Sequence, residues 1–270
     1  MGESAISGPA PEIYGEGFAA AFVTSRYSLF SRRLAKLALS LVEQHGAPGR
    51  VLLDLACGAG EGTVVLAKAG FDTIAIDGSP VMIRYAAQCA EQHGLAISVH
   101  RQDMRELSLD RQVDVVTCLF DSLNYLLDVD DLATVLGNVA RVLRPGGLFI
   151  FDVNTPFGLA TRWGTRDLVH TARDDVFEVN QNRYSADTGI NNTTTTVFVR
   201  IDETGTYRRY TEVHRERGYS AETIAPLIRR AGLEVVSIQG LADSFEGIAK
   251  GLSPLDEQTG RIMAVARKAS

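Results

Sequence analysis

Asp54, Gly58, Gly60 and Gly62 are the residues whose types and spacing carry the clearest chemistry in this chain. They stand in the stretch Val51-Leu-Leu-Asp-Leu-Ala-Cys-Gly-Ala-Gly-Glu-Gly-Thr63. Glycine has no Cβ, so a turn built from it brings backbone close to a ligand. A helix that starts just after the turn presents free N–H groups to the same place. The spacing is G-x-G-x-G, and Thr63 stands where a dinucleotide fingerprint puts its third glycine. Asp54, four residues before the first glycine, would repel a pyrophosphate and suits a cation. Both features argue against a nicotinamide dinucleotide. Asp77 ends a second apolar run 19 residues after Gly58. A βαβ nucleotide fold keeps its ribose-binding carboxylate there, and two acceptor oxygens serve both ribose hydroxyls. Ser79 followed by Pro80 fills the competing role of helix cap better than Asp77 does. A third group lies far along the chain. Tyr210, Glu212, His214 and Glu216 alternate in a β-rich segment, so they share one strand face. Such a face is either solvated surface or the wall of an acceptor pocket. No H-x-x-H or Cys/His cluster accompanies His214, so no metal site is expected.

The elements that must position these groups follow from apolar periodicity and turn signals. Residues 1–12 are small, polar and proline-bearing, and are expected to form a mobile tail. Tyr14, Phe18, Phe22 and Tyr27 precede an amphipathic helix over roughly 28–45, which Gly46-Ala-Pro-Gly49 ends. Strands are expected at Val51–Leu55, Phe71–Asp77, Ala96–Arg101, Val113–Leu119 and Leu148–Val153. Helices separate them, among them 80–93, with Val81, Met82, Tyr85, Ala86 and Cys89 on its buried stripe. Residues 155–172 read as loop. Val176–Tyr184, Thr193–Ile201 and Tyr207–Glu216 then read as a three-stranded antiparallel insertion. A helix capped by Ser220, with Pro226 expected to kink it, precedes strands Leu233–Gln239 and Arg261–Arg267. The fold class is α/β: a doubly wound, seven-stranded, mostly parallel sheet with a small antiparallel β insertion.

Asp54-Leu-Ala-Cys57-Gly58-Ala-Gly60 resembles the first motif of the class I S-adenosylmethionine (SAM) methyltransferases, acid-x-x-small-Gly-x-Gly. Leu143-Arg-Pro-Gly-Gly147, between a helix and a strand, is similar to a later passage of that family. The resemblance covers about residues 47–268 and is strongest through 154. It implies a Rossmann-like sheet of order 3-2-1-4-5-7-6 with strand seven antiparallel. It also implies an N-terminal tail and cap helix over 1–46 and a SAM-binding core over 47–154. An acceptor-side β insertion over 155–218 and a C-terminal completion of the core over 219–270 follow. The cofactor is then SAM. Asp54 takes its α-amino group; Ala56, Gly58 and Gly60 form the turn; Asp77, with Gly78 beside it, takes the ribose. Met82 neighbours the adenine, Asp103 accepts its exocyclic amine, the Met104 N–H meets a ring nitrogen, and Leu119 closes strand four. The implied reaction is in-line methyl transfer to nitrogen or oxygen of a small molecule. His214, Tyr14 and Asn124 are the catalytic candidates, with Glu212 beside them. Asp121-Ser-Leu-Asn124 stands where DNA amino-methyltransferases carry an Asn/Asp-Pro-Pro-Tyr sequence. Two other readings remain: a SAM-binding protein without catalysis, and an NAD-dependent oxidoreductase.

Composition bounds the partners. The chain has 270 residues, 45% of them hydrophobic, a net charge of −6 and a pI near 5.4. No nucleic-acid partner is expected, since phosphates would be repelled. No apolar run approaches the ~20 residues of a membrane span. No basic-then-apolar leader opens the sequence, so none is expected. Cys57, Cys89 and Cys118 show no C-x-x-C spacing and read as reduced thiols of a cytoplasmic protein. A monomer or homodimer is expected.

Overall fold

In a computed structural model, residues 13–24, 26–164, 166–242, 248 and 251–269 are described. The expected tail, residues 1–12, lies outside them. The described residues open with two helices, α1 (Glu16–Thr24) and α2 (Arg26–His45). The single helix expected over 28–45 therefore starts earlier and has a partner. Alternation of β and α then runs β1 (Val51–Leu55), α3 (Glu61–Lys68), β2 (Asp72–Asp77), α4 (Pro80–Gln92) and β3 (Ser98–Arg101). It continues through β4 (Val113–Cys118), α5 (Val129–Val142) and β5 (Leu143–Asn154). Helical turns follow at α6 (Pro156–Gly158) and Leu159–Trp163. A second sheet takes β6 (Asp167–Ala172), β7 (Val176–Ser185), β8 (Ile190–Arg200) and β9 (Tyr207–Arg217). The end of the chain is α7 (Ala221–Arg230), β10 (Leu233–Leu241), β11 (Leu252–Ser253) and β12 (Arg261–Lys268).

The large sheet has the order β3-β2-β1-β4-β5-β12-β10-β11, with β12 antiparallel to β5 and β10. That is the expected 3-2-1-4-5-7-6 order, with two-residue β11 added at one edge, so among the described residues the sheet has eight strands and not seven. The insertion has four strands and not three. Its extra strand, β6, lies in the stretch read as loop, because Asp167–Ala172 alternates weakly and finds its partner only in β7.

Alternate strand residues face opposite helical layers, as a period of two requires. Leu52, Val115, Ile150 and Val265 pack under α2, while Leu53, Val116, Phe151 and Ala264 pack under α5 and α7. Arg144–Gly147, expected as a turn, is a bulge inside the twelve-residue β5: Val113 pairs with Leu143 but Val115 with Leu148. The buried Asp114 opposite holds the bulge through Arg144 Nη1 at 3.0 Å and takes the Val51 N–H at 2.8 Å. Pro226 does not interrupt α7, which runs unbroken between its Ser220 cap and Gly232 at φ 81°. Helix α1 packs on β7, β8 and β9 of the second sheet and on helices α2 and α4. Gly17 allows this, since a Cβ there would run into the Tyr210 ring of β9.

Candidate active site

Parallel pairing places the first acid. Asp54 of β1 sits opposite Thr117 of β4, and both point to the same side. The Thr117 hydroxyl donates to Asp54 Oδ1 at 2.7 Å, and the Thr63 hydroxyl of α3 donates to Oδ2 at 2.6 Å. Thr63 thus has a positive task where a dinucleotide motif has glycine. Asp54 is buried. Burial pushes its carboxyl up to about 6, against the two hydroxyl bonds and with help from the negative charge of Asp77. A buried carboxylate held above its usual range gains from a cation beside it.

The glycine turn follows. Ala56, Gly58 and Gly60 have φ of 57°, 55° and 84°, so the chain passes three times through the left-handed region. The Gly58 N–H donates to Asp77 Oδ2 at 2.9 Å, and the Ser79 N–H donates to Oδ1 at 2.8 Å. Asp77 therefore braces the turn across the β1–β2 pair and keeps one lone pair on each oxygen. Its carboxyl is raised, chiefly by burial, against these backbone bonds.

These groups open on a cavity of about 380 Å³ at the carboxyl ends of β1, β2 and β4. That is the topological switch point, where β1 is flanked by β2 and β4. Of the ten expected cofactor residues, Asp54, Ala56, Gly58, Asp77, Gly78, Met82, Met104 and Leu119 line it. Gly60 and Asp103 do not. Gly60 serves packing instead: a Cβ there would lie 3.0 Å from Ala86 Cα on α4. Asp103 caps the short turn Met104–Glu106 and pairs with Arg105, whose Nε is 3.0 Å from Oδ1. Ile13, Ser31, Arg101 and Ser122 line the cavity without any sequence signal. Donor set and shape suit SAM: a cation-seeking carboxylate, a two-oxygen acceptor and apolar walls of Met82, Met104, Leu119 and Phe120.

A second cavity, of about 100 Å³, adjoins the first. Tyr14, Phe22, Phe120 and Tyr125 line both. Phe120 and Asp121 carry φ of 64° and 51°, an uncommon conformation for such residues. The buried Asp152 holds them there, accepting the Phe120 N–H at 2.7 Å and the Asp121 N–H at 3.1 Å. Arg261 of β12 donates through Nε to Asp152 at 2.7 Å and through Nη2 to Asp121 at 3.0 Å. No spacing in the sequence links residues 120, 152 and 261; the pairing of β4, β5 and β12 does.

The face of β9 that carries Tyr210, Glu212, His214 and Glu216 turns inward, while Arg209, Thr211, Val213 and Arg215 are exposed. His214 and Glu216 line the second cavity together with Tyr14. His214 is buried, with Nδ1 3.0 Å from the Tyr125 hydroxyl. Its Nε2 has no hydrogen-bond partner, and Glu212 Oε2 is 3.5 Å away. Glu212 itself is spent on the entry to α1, accepting the Tyr14 and Gly15 N–H groups at 2.7 and 2.9 Å. Burial holds the Tyr14 and Tyr125 phenols well above their ordinary range, so both stay neutral donors. Asn124 requires a correction. It lines neither cavity; it donates to Asn154 O at 2.9 Å and Arg217 O at 2.6 Å and accepts the Asn154 N–H. With both amide N–H donors engaged and one bond to its carbonyl, it staples β5 to the end of β9 away from both cavities.

A doubly wound sheet with a braced glycine turn and an acid-lined cavity at its switch point defines a nucleoside-cofactor-binding α/β protein. Residues 52–147 match the family model described as a methyltransferase domain. A protein of Geobacillus sp. (strain WCH70) assigned to the methyltransferases is 32% identical over 200 residues, 73% of this chain and 79% of that one. The crystal structure of an S-adenosylmethionine-dependent methyltransferase from Clostridium acetobutylicum matches with TM-score 0.77 and 28% identity, covering 88% of this chain and 92% of that one. The SAM-bound amino pentose methyltransferase CalS10 of Micromonospora echinaspora shares the fold: TM-score 0.66, 18% identity, 95% and 98% coverage. The chain belongs to the class I SAM-dependent methyltransferases. It is an enzyme and its cofactor is SAM, so the oxidoreductase and non-catalytic readings fall away. No described helix is long and apolar enough to cross a membrane. The described residues hold no group of three His, Cys, Asp or Glu able to bind a metal, and the three cysteines are free.

Two expected results test the cofactor assignments. Asp77→Ala should weaken SAM binding by about 1.5–3 kcal/mol, the usual worth of hydrogen bonds to a charged group. Calorimetry on the folded variant measures this, and an unchanged affinity would remove Asp77 from the site. Asp54 should also impose a pH limit on SAM affinity. Its carboxyl is neutral below about 6, and a neutral acid does not pair with the α-ammonium group. Affinity should therefore fall roughly tenfold per pH unit below that point and level off above it. A flat profile across the range would show that no ammonium sits against Asp54.

Proposed function

We propose that the enzyme methylates nitrogen or oxygen of a polar small molecule seated in the second cavity, with SAM in the first. The observation that carries this is the shared wall: Tyr14, Phe22, Phe120 and Tyr125 border both cavities, so ligands in the two would meet there. Bound SAM supplies an activated methyl group on sulfonium. The protein then has to hold the acceptor in line and keep water out. Aromatic side chains do the second task. Phe22 stacks on Tyr27 with ring centroids 5.3 Å apart, and Phe120 packs at 6.0 Å from both. Helix α1 carries the Phe18 and Phe22 part of this wall over the site. It is tied on one side by Glu212 and on the other by the Ser79 hydroxyl, which donates to Tyr14 O at 2.9 Å. His214 does the first task. Its unpartnered Nε2 is the buried polar atom that an acceptor's amino or hydroxyl group would satisfy.

Methyl-labelled SAM, the purified enzyme and a small-molecule extract test the reading. Label should pass to one low-molecular-weight product, identified by mass spectrometry. Label confined to protein or nucleic acid would overturn it.

A further inference from the structure

The second cavity holds an acid without an ion-pair partner among the described residues. Glu216 lies at the end of β9, and only its Oε2 is engaged, by Asn154 Nδ2 at 3.2 Å. Among the described residues it has no ion pair. The nearby guanidinium of Arg261 is committed to Asp152 and Asp121, and its faces lie against Phe30 and Phe120 at 5.2 and 5.6 Å. Two further atoms point to a missing ligand. Asn180 and His214 are at least nine-tenths buried and line this cavity; Asn180 Oδ1 and His214 Nε2 make no hydrogen bond, and Nε2 lies 3.5 Å from Glu212 Oε2. Native proteins leave few such atoms unsatisfied. Asn180 has spent its amide nitrogen on Glu178, so its free carbonyl seeks a donor.

We propose that Glu216 selects a cationic amine as the acceptor, pairing with the ammonium of a small hydroxylated amine and taking one of its protons. The proposal rests on the methyl-transfer reading and names the substrate class of that site. In the proton step one N–H bond breaks and one O–H bond forms on the Glu216 carboxylate. The electron pair stays on nitrogen, where methylation needs it. Asn180 Oδ1 and His214 Nε2 then bind hydroxyl or residual N–H groups of the same molecule. Glu216 is pushed up to about 8, first by burial and next by the negative charge of Asp121, against its Asn154 bond and the charge of Arg261. Asp121, Arg261, Tyr14 and Tyr125 are the titratable groups that interact with it from the packed elements, and His214 shares its cavity. A cation bound beside Glu216 must lower that value, because it favours the ionised form.

Glucosamine and its uncharged counterpart glucose are suitable probes, used with the protein loaded with S-adenosylhomocysteine. Carbon-13 NMR of labelled glutamate follows the Glu216 carboxyl, assigned by its loss in Glu216→Gln. Glucosamine should lower its titration midpoint by ~1 unit or more, and glucose should leave it in place. Glucosamine should also raise the Tm of the wild type, and this rise should vanish in Glu216→Gln, which keeps the side-chain volume and an oxygen for Asn154. An unmoved titration, or a Tm rise that survives in the glutamine variant, overturns the proposal. S-adenosylhomocysteine binding is measured separately by calorimetry. Its absence would overturn the methyl-transfer reading itself, whatever the amine does.

Discussion

Gly58→Val is expected to raise the dissociation constant for SAM more than about 100-fold in a protein that still folds. Gly58 has φ 55°, and it lies on the cavity wall. A left-handed backbone costs a non-glycine residue roughly 1–2 kcal/mol, and a β-branched one is worst served there. That cost is small beside the roughly 5–15 kcal/mol that holds a typical fold together. Nothing in the protein blocks the new Cβ, since the nearest atom outside the neighbouring residues is the Phe22 ring carbon at 3.9 Å. The two methyl groups instead occupy the space that SAM needs. They also disturb the Gly58 N–H bond that orients Asp77. Far-UV circular dichroism checks the fold and calorimetry the affinity. Near-wild-type affinity in the folded variant would mean that the turn braces the sheet and does not border the cofactor.

His214→Ala is expected to leave SAM affinity within about twofold and to lower kcat with the true acceptor by ~10²-fold or more. His214 lines the second cavity and not the first, so removing it spares the cofactor. The loss is threefold in kind. The unpartnered Nε2 goes, the Tyr125 hydroxyl loses its partner at 3.0 Å, and the Phe18 ring loses a neighbour 4.8 Å away. An acceptor then keeps its room but not its orientation. Steady-state kinetics with calorimetric SAM titration separates the two effects. A collapse of SAM affinity with the fold intact would show that His214 serves the cofactor. Unchanged kcat would show a packing role only.

The legible part of this protein is the part whose chemistry is local in sequence. Asp54, the glycine turn and Asp77 were readable because a strand, a turn and a helix start occupy consecutive residues. The inward polar face of β9 was readable because side chains alternate across any strand. Local pattern could not say what such a face looks at. Glu212, His214 and Glu216 carry the same spacing, yet one is spent on the entry to the N-terminal helix, one keeps a buried nitrogen without a hydrogen bond and one is an acid without an ion pair among the described residues. Those differences come from partners distant in sequence: the entry to α1 for Glu212, Tyr125 for His214 and Asn154 for Glu216.

The misplaced residues show the same division. Gly60 belongs to the motif but answers to Ala86 on α4, a packing contact that no spacing encodes. Asp103 stands after a strand as expected, but Arg105 two residues on is close enough to claim it. Asn124 stood among the catalytic candidates and proved to be a staple between β5 and β9, chain segments that meet only once both sheets have formed. By itself the sequence determined the α/β winding, because period-two burial and a glycine turn act over a few residues; the order of the core strands and the cofactor followed from the resemblance of its motifs to the methyltransferases. Tertiary structure decided the acceptor side. The left-handed turn at Phe120, the Arg261 clamp and the orphaned Nε2 of His214 each need side chains from strands far apart in the chain. Such contacts are fixed by sheet order and burial, which no local pattern contains.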